Sequence, residues 1–125
     1  MKIPVTRDKN NDTPIFMLDT ADILYIQTDE GTIVFQTASE SYYPLAPSLS
    51  TYVKHLEQYG FHKLDRINLV NKNKIVAYDH DHGKVFFESV DDKQGKSTTV
   101  AFMHRSKLRQ DIERWIDENI NRSDT

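Results

Sequence analysis

The chain has 125 residues, a net charge of −3 and 38% hydrophobic residues, enough for one folded core. It contains no cysteine, which excludes disulfides, thiolate metal sites and cysteine nucleophiles. Its four glycines form neither a GxGxxG nor a GxxxxGK[ST] pattern, which argues against a nucleotide-binding loop. Because no long apolar run and no secretory signal is visible, we expect a single cytoplasmic domain over residues 1–125 with no membrane contact.

The predicted elements are mostly short strands. The strand-like runs are rich in β-branched and aromatic residues, and polar stretches separate them, as in antiparallel hairpins. In chain order they cover residues 15–18, 23–27, 32–37, 61–71, 74–78, 85–88 and 98–103. Gly31 offers a residue that tolerates positive φ between the second and third runs, so residues 23–37 form a predicted β-hairpin.

Two segments have helical spacing instead. Residues 48–59 place apolar side chains on one face, with Ser48 as a candidate N-cap and Gly60 as a candidate left-handed C-cap. Residues 106–121 form a predicted C-terminal helix, and we expect its apolar stripe to pack on the chain's own sheet because it begins directly after the last strand. The stripe consists of Leu108, Ile112, Trp115 and Ile116. The fold class is therefore mainly β with two helices (α+β).

The charges are unevenly distributed along the chain. Residues 54–74 carry five basic and two acidic side chains, and residues 93–109 carry five basic side chains and no acidic one. A phosphate backbone responds to such local fields rather than to the charge of the whole chain. The two basic segments favour a polyanionic partner, although chance clustering on a solvated surface explains charge runs of this length equally well.

Candidate catalytic and metal-binding groups are few. Residues 79–83 (DHDHG) contain two imidazoles and two carboxylates, but no third ligand accompanies them at a fixed spacing, and Gly83 indicates a hairpin turn. We interpret this stretch as a solvated turn and predict no metal site. Neither His62 nor His104 comes with the serine or cysteine plus orienting carboxylate that a nucleophilic triad needs, and the paired acids of the chain lie in predicted turns. We therefore expect neither an enzyme nor a cofactor.

Four motifs resemble the LytTR family of bacterial DNA-binding domains. The family's aromatic residue after a helix, its R-x-x-x-V-N core and a following isoleucine correspond to Phe61, Arg66, Val70, Asn71 and Ile75. The family's D-I-x-Y-I-E strand resembles residues 22–27, where Gln27 replaces the acid, and residues 49–56 match the helix before the aromatic. Its S-R-x-x-L motif resembles residues 104–108. The motifs occur in the family's order and extend over residues 15–112.

The resemblance implies an elongated antiparallel β-hairpin fold that reads double-stranded DNA through loops and strand ends rather than through a recognition helix. It implies contacts from the first hairpin loop (29–32), a strand start (65–68) and a turn (104–107). The candidate DNA-binding residues are Arg66, Asn68, Arg105, Lys107, Thr32, His104 and Lys63. Arginine can make a bidentate contact to guanine, as we expect for Arg66, and Arg105 lies in the acid-free segment.

The chain departs from the family pattern at several positions. Asp29 and Glu30 in the first loop repel phosphates, and Asp65 and His104 stand where we expect the family's histidine and serine. The connection 91–97 is longer than usual. For Arg66, an internal ion pair with Asp65 or Asp22 is the structural alternative to DNA contact.

From these observations we expect a sequence-specific transcription regulator, either a stand-alone LytTR protein or the output domain of a response regulator. Its copies are expected to be monomeric in solution and to occupy adjacent DNA repeats. A second hypothesis is a regulatory or ligand-sensing β domain that acts through a protein partner. The acidic first loop favours this second hypothesis, and the acid-free segment 93–109 disfavours it.

Overall fold

The computed structural model describes residues 1–45, 49–87 and 96–123. Within them the chain forms ten strands in two antiparallel sheets, together with two α-helices. The strands are β1 (Lys2–Thr6), β2 (Phe16–Asp19), β3 (Ile23–Asp29), β4 (Thr32–Thr37), β5 (Ser41–Pro44), β6 (Phe61–His62), β7 (Asn68–Asn71), β8 (Ile75–Asp79), β9 (Lys84–Phe87) and β10 (Ser97–Thr99). The helices are α1 (Leu49–Leu56) and α2 (Arg105–Ser123). The predicted class, mainly β with two helices, is confirmed.

The larger sheet has the strand order β2-β1-β5-β4-β3-β7-β6, and the smaller sheet has the order β10-β9-β8. The predicted hairpin is β3–β4, and it turns through Glu30 and Gly31 at φ values of 49° and 80°. Two successive positive φ angles are typical of the two-residue type I′ turn, whose twist matches that of the flanking strands. β7 pairs with the other edge of β3, so β3 lies inside the sheet.

The core consists of two clusters that share β3. Ile23 and Ile26 belong to one cluster, which α1 covers, and Leu24 and Tyr25 belong to the other, which contains side chains of β8, β9 and α2. All four side chains are buried, because both faces of β3 are covered.

Helix α2 packs on the chain's own sheets, as predicted from its apolar stripe. Ile112 and Trp115 are buried in the second cluster, and Leu108 and Ile116 pack against it. The Trp115 ring lies 5.0 Å from the ring of His62. Burial of a side chain of this size contributes about 2–3 kcal/mol to stability.

Several predicted elements differ from the observed ones. Strands β1 and β5 were not predicted, and the predicted strand 61–71 is two short strands separated by a loop. The predicted strand 98–103 is confirmed only at its start, since β10 ends at Thr99 and Phe102–His104 form a 3₁₀ turn. The candidate cap Ser48 and residues 88–95 lie outside the described residues, whereas Gly60 has the expected left-handed φ of 93°.

Candidate nucleic-acid interface

Three chain segments meet at one end of the larger sheet: the hairpin turn 29–32, the loop 63–67 and the segment 100–107. β3 and β7 are antiparallel, so the end of β3 lies beside the start of β7. The backbone N–H of Thr28 donates to the Ile67 carbonyl at 2.8 Å, and that of Ala101 donates to the Leu64 carbonyl at 2.9 Å. These bonds join all three segments of the predicted site through the main chain.

Asn68 holds this junction together from inside. Its side chain is 0% exposed, its Oδ1 accepts from the Asp65 N–H at 3.0 Å, and its Nδ2 donates to Thr98 Oγ1 at 2.9 Å and to the Thr99 carbonyl at 2.8 Å. A buried amide with its donors and acceptor engaged has nothing left to offer a base. Asn68, which we expected to contact DNA, is therefore not presented to a base in this structure, and its side chain holds the loop from inside.

The hydrogen bonds of Asn68 belong to a larger network. The Thr98 hydroxyl donates to Gln27 Oε1 at 2.5 Å, and the Thr99 hydroxyl donates to Asp65 Oδ2 at 2.7 Å. Gln27 and Asp65 are two of the positions that depart from the family pattern, and both carry acceptors for threonines of β10. Each of these two departures thus has a hydrogen-bond partner among the threonines of β10.

The loop between β6 and β7 presents two cations to solvent. Arg66 and Lys63 are exposed, and neither forms an ion pair with another residue in the described parts of the chain. The alternative of an internal ion pair from Arg66 to Asp65 or Asp22 is therefore wrong in this structure. Because the backbone of the loop is held at Leu64 and Ile67, these flexible side chains extend from a fixed base.

Arg105 is held against the turn between β8 and β9. Its Nη1 donates to the Asp81 carbonyl at 3.1 Å, and its guanidinium carbon lies 5.1 Å from the centroid of the Phe102 ring. Gly83 has a φ of +62°, and a Cβ there would collide with the Arg105 guanidinium. Glycine at this position therefore permits the close approach of the arginine. The buried Nε of Arg105 has no hydrogen-bond partner.

The remaining predicted residues surround this centre. Thr32 is half-buried at the start of β4, opposite the exposed Asp29. His104 and Lys107 are exposed, the first at the end of the 3₁₀ turn and the second in the first turn of α2. The expected turn at residues 104–107 is thus the entry to a helix, and residues 96–110 contain no acidic side chain.

The turn predicted for the histidine-containing stretch 79–83 lies between β8 and β9, and Asp79 is the last residue of β8. Asp79 accepts hydrogen bonds from the His82 backbone N–H at 3.2 Å and from the His82 ring at 2.8 Å, and these bonds lower the pKa of its carboxyl. In the described ranges, no group of three or more histidine, aspartate or glutamate side chains is arranged to hold a metal ion. No helix in the same ranges is long and apolar enough to cross a bilayer.

Sequence reasoning missed the side chains that organise the site. Thr98 and Gln27 are 71 positions apart, so no local pattern links them. Phe102 was assigned to a strand, although it and Met103 are the most exposed large hydrophobic side chains in the described part of the chain. An uninterrupted apolar pair within a basic, acid-free stretch is the signal that points to them.

Comparison with known proteins gives the family and agrees with the fold. The LytTr DNA-binding domain family matches residues 13–113, close to the extent of the sequence resemblance. Comparison with curated proteins finds no match. Among solved structures, a LytTr DNA-binding domain from Bacillus cereus has the same fold, with a TM-score of 0.64 and 17% sequence identity over 87% of this chain and 94% of that chain. Since the family match covers most of the sequence, the chain belongs to the LytTr DNA-binding domain family.

Proposed function

We propose that this chain is a sequence-specific transcription regulator that binds double-stranded DNA through its loops and strand ends and acts in the bacterial cytoplasm. The observation that carries the proposal is the junction of three segments held by buried hydrogen bonds. This junction presents Lys63, Arg66 and Lys107 without ion-pair partners among the described residues. Unpaired cations on a rigid frame are suited to a polyanion that must be read in a fixed register.

The cations have different roles in this proposal. Arg66 extends from a loop with a fixed backbone, and its guanidinium has the paired donors that recognise guanine, so we assign it to a base edge. Lys63 and Lys107 are point charges on long stems and are assigned to phosphates. Arg105 is tied to the Asp81 carbonyl by one nitrogen, which suits a phosphate contact at the border of the interface. Thr32 and His104 supply polar contacts beside these cations.

The acidic hairpin turn limits how the DNA lies. Asp29 and Glu30 are exposed at the tip, where they repel phosphates. In our proposal Thr32 faces the DNA and the tip itself stays away from the backbone. We further propose that two copies occupy adjacent repeats and that the free protein is a monomer. A stable dimer at micromolar concentration in sedimentation without DNA would contradict that second part.

The test begins with selection of bound duplexes from a random-sequence pool. Titration of the selected duplex by fluorescence anisotropy then compares the wild type with Arg66→Ala. We expect a loss of about 1–3 kcal/mol in binding free energy and relaxed preference at one base pair. Arg114→Ala is the matched control, because that exposed arginine of α2 pairs with Asp111 at 3.1 Å in its own helix. It should bind like the wild type.

Salt dependence separates phosphate contacts from base contacts. If the four cations Lys63, Arg66, Arg105 and Lys107 all faced phosphates, log Kd would change with log salt at a slope of about 3.6. We expect the wild-type slope to be nearer 3, because Arg66 faces a base. The slope should fall by about 1 in Lys107→Ala and change little in Arg66→Ala. Failure of the pool to yield any preferred sequence would reject sequence-specific binding. That result would favour the second hypothesis, a regulatory domain acting through a protein partner.

A further inference from the structure

Two large apolar side chains stand in solvent beside the proposed interface. Phe102 is 80% exposed and Met103 is 89% exposed, and they are adjacent in the chain. A small protein rarely leaves contiguous apolar side chains this open unless they meet a partner.

The main chain on both sides of the pair is anchored. The N–H of Val100 donates to the Gly83 carbonyl at 2.8 Å, and the N–H of Ala101 donates to the Leu64 carbonyl at 2.9 Å. On the other side, the N–H of His104 donates to the Ala101 carbonyl at 2.8 Å and closes the 3₁₀ turn. The pair is therefore displayed by a folded turn, and its exposure does not come from a loose loop.

The surroundings of the pair favour an anionic partner over an apolar one, and the proposed function makes that partner DNA. Residues 96–110 contain no acidic side chain, and the exposed His104 and Lys107 lie on one side of the pair in sequence. The loop carrying Arg66 is joined to Ala101 through Leu64. A polyanion is drawn to this charge, and the apolar group that B-DNA offers in its major groove is the thymine 5-methyl group.

The position of Arg105 argues against insertion of the ring between base pairs. Its guanidinium carbon lies 5.1 Å from the Phe102 ring centroid and covers one face of the ring. A ring inserted fully between two base pairs would stack on a base through each face, so Arg105 would have to leave its position. The edge and the open face of Phe102 remain available, which suits contact with a methyl group.

We propose that Phe102 and Met103 form a specificity-determining apolar contact with the 5-methyl group of a thymine in the bound site. This inference rests on the proposed function, because it assigns a base to the same interface. The contact adds readout of an A·T pair beside the position that Arg66 reads. It also gives a reason for two exposed apolar side chains in a basic segment.

The experiment removes the methyl group from the DNA without changing base pairing. Each thymine of the duplex selected from the random pool is replaced in turn by deoxyuridine, and Kd is measured for the wild type and for Met103→Ser. We expect one position at which the wild type binds deoxyuridine about fourfold more weakly, the effect of one methyl group left in water. Met103→Ser should bind the thymine duplex more weakly and show a reduced difference at that position. Phe102→Ser should behave alike.

The controls separate folding and general hydrophobicity from readout. Met17→Ser changes an exposed methionine on β2, at the opposite edge of the larger sheet, and should keep the wild-type thymine preference. Urea midpoints of all variants should stay close to that of the wild type. If the wild type binds every deoxyuridine duplex as tightly as the thymine duplex, and binding still requires Arg66, this inference is overturned while the proposed function stands. A pool without any preferred duplex overturns the proposed function and this inference with it.

Discussion

Replacement of Asn68 by alanine tests whether this residue reads DNA or positions the loop that does. The two roles predict different losses. A base reader on the surface lowers affinity without changing the stability of the free protein. A buried positioning residue lowers stability first, because its partners lose their hydrogen bonds.

The structure gives the size of the expected loss. Asn68→Ala removes three hydrogen bonds of 2.8–3.0 Å and leaves the Asp65 N–H and the Thr99 carbonyl without their partner. The Thr98 hydroxyl keeps its bond to Gln27. Each orphaned buried group costs about 1–3 kcal/mol, and these two are half-buried, which places each near the lower value. Together with the small cavity left behind, we expect a loss of about 2–4 kcal/mol.

Urea unfolding followed by Trp115 fluorescence measures this loss, since Trp115 is the single tryptophan and only 6% exposed. The midpoint should fall by about 1–2 M. Thr98→Val should cost less, and the double variant should lose less than the sum, because both changes break the same bond. Arg66→Ala, two residues away and exposed, should leave the midpoint unchanged. An unchanged midpoint in Asn68→Ala with lost DNA affinity would refute the positioning role.

Three further outcomes follow from the contacts. Gly83→Ala should weaken DNA binding several-fold and lower the free energy of unfolding by about 1 kcal/mol or more, because the added Cβ displaces Arg105. Gly31→Ala should lose only the stability that its positive φ costs, because no atom lies near its added Cβ. Anisotropy titrations measure the first effect and urea titrations the second. Trp115→Ala should lower the free energy of unfolding, followed by circular dichroism, by about 3–5 kcal/mol and leave the spacing of the DNA half-sites unchanged. Trp115 fluorescence of the wild type that changes with protein concentration would contradict packing within one chain. Burial, and then Lys72, lower the pKa of His62, while Glu57 and Asp111 oppose the shift. The folded state therefore disfavours protonated His62. The contribution of His62 to the free energy of unfolding should be unreduced above pH 6.5 and fall as the pH drops below that value. His62→Gln should flatten that pH dependence.

The elements that could be predicted from the sequence are those whose apolar residues recur at the spacing of a strand or of a helix. The β3–β4 hairpin follows from β-branched residues around Gly31, and the buried face of α2 follows from Ile112 and Trp115 at helical spacing. The LytTR motifs identified the family and point to the region of the proposed interface. These features are encoded in neighbouring residues, so they need no knowledge of the tertiary structure.

The strands that sequence reasoning missed depend on distant partners. β1 contains Pro4, and a proline within a run argues against a strand. In the structure Pro4 pairs with β2 at Met17, and β5 pairs only with the last two residues of β1. The missing N–H of Pro4 therefore interrupts no pairing with β5.

The proposed interface could be predicted only in part. Exposed cations such as Arg66 are recognisable from sequence because they stand in motif positions and basic segments. The buried state of Asn68 is not, since its partners in β10 lie 30 and 31 residues away. A polar residue in a family's binding region has the same appearance in sequence whether it faces the DNA or holds the loop from inside.

The net charge of −3 does not prevent this chain from binding DNA if local charges decide the field at the interface. On α2, Glu113 pairs with Arg109 at 3.0 Å, so its charge is compensated within the helix. Asp29 is exposed at the hairpin tip, at the end of the sheet where Arg66 lies, and has no ion-pair partner among the described residues.

Asp29→Asn and Glu113→Gln change the net charge equally and therefore separate the two explanations. Asp29→Asn should strengthen DNA binding several-fold at 0.05 M salt. The gain should be smaller at 0.2 M salt, where the Debye length is below about 10 Å and the charge reaches fewer phosphates. Glu113→Gln should change the affinity less, because Glu113 lies six residues, about 9 Å along α2, beyond Lys107. Anisotropy titrations of both variants at the two salt concentrations give the answer. Equal gains from the two substitutions would mean that the charge of the whole chain, and not its placement, governs binding.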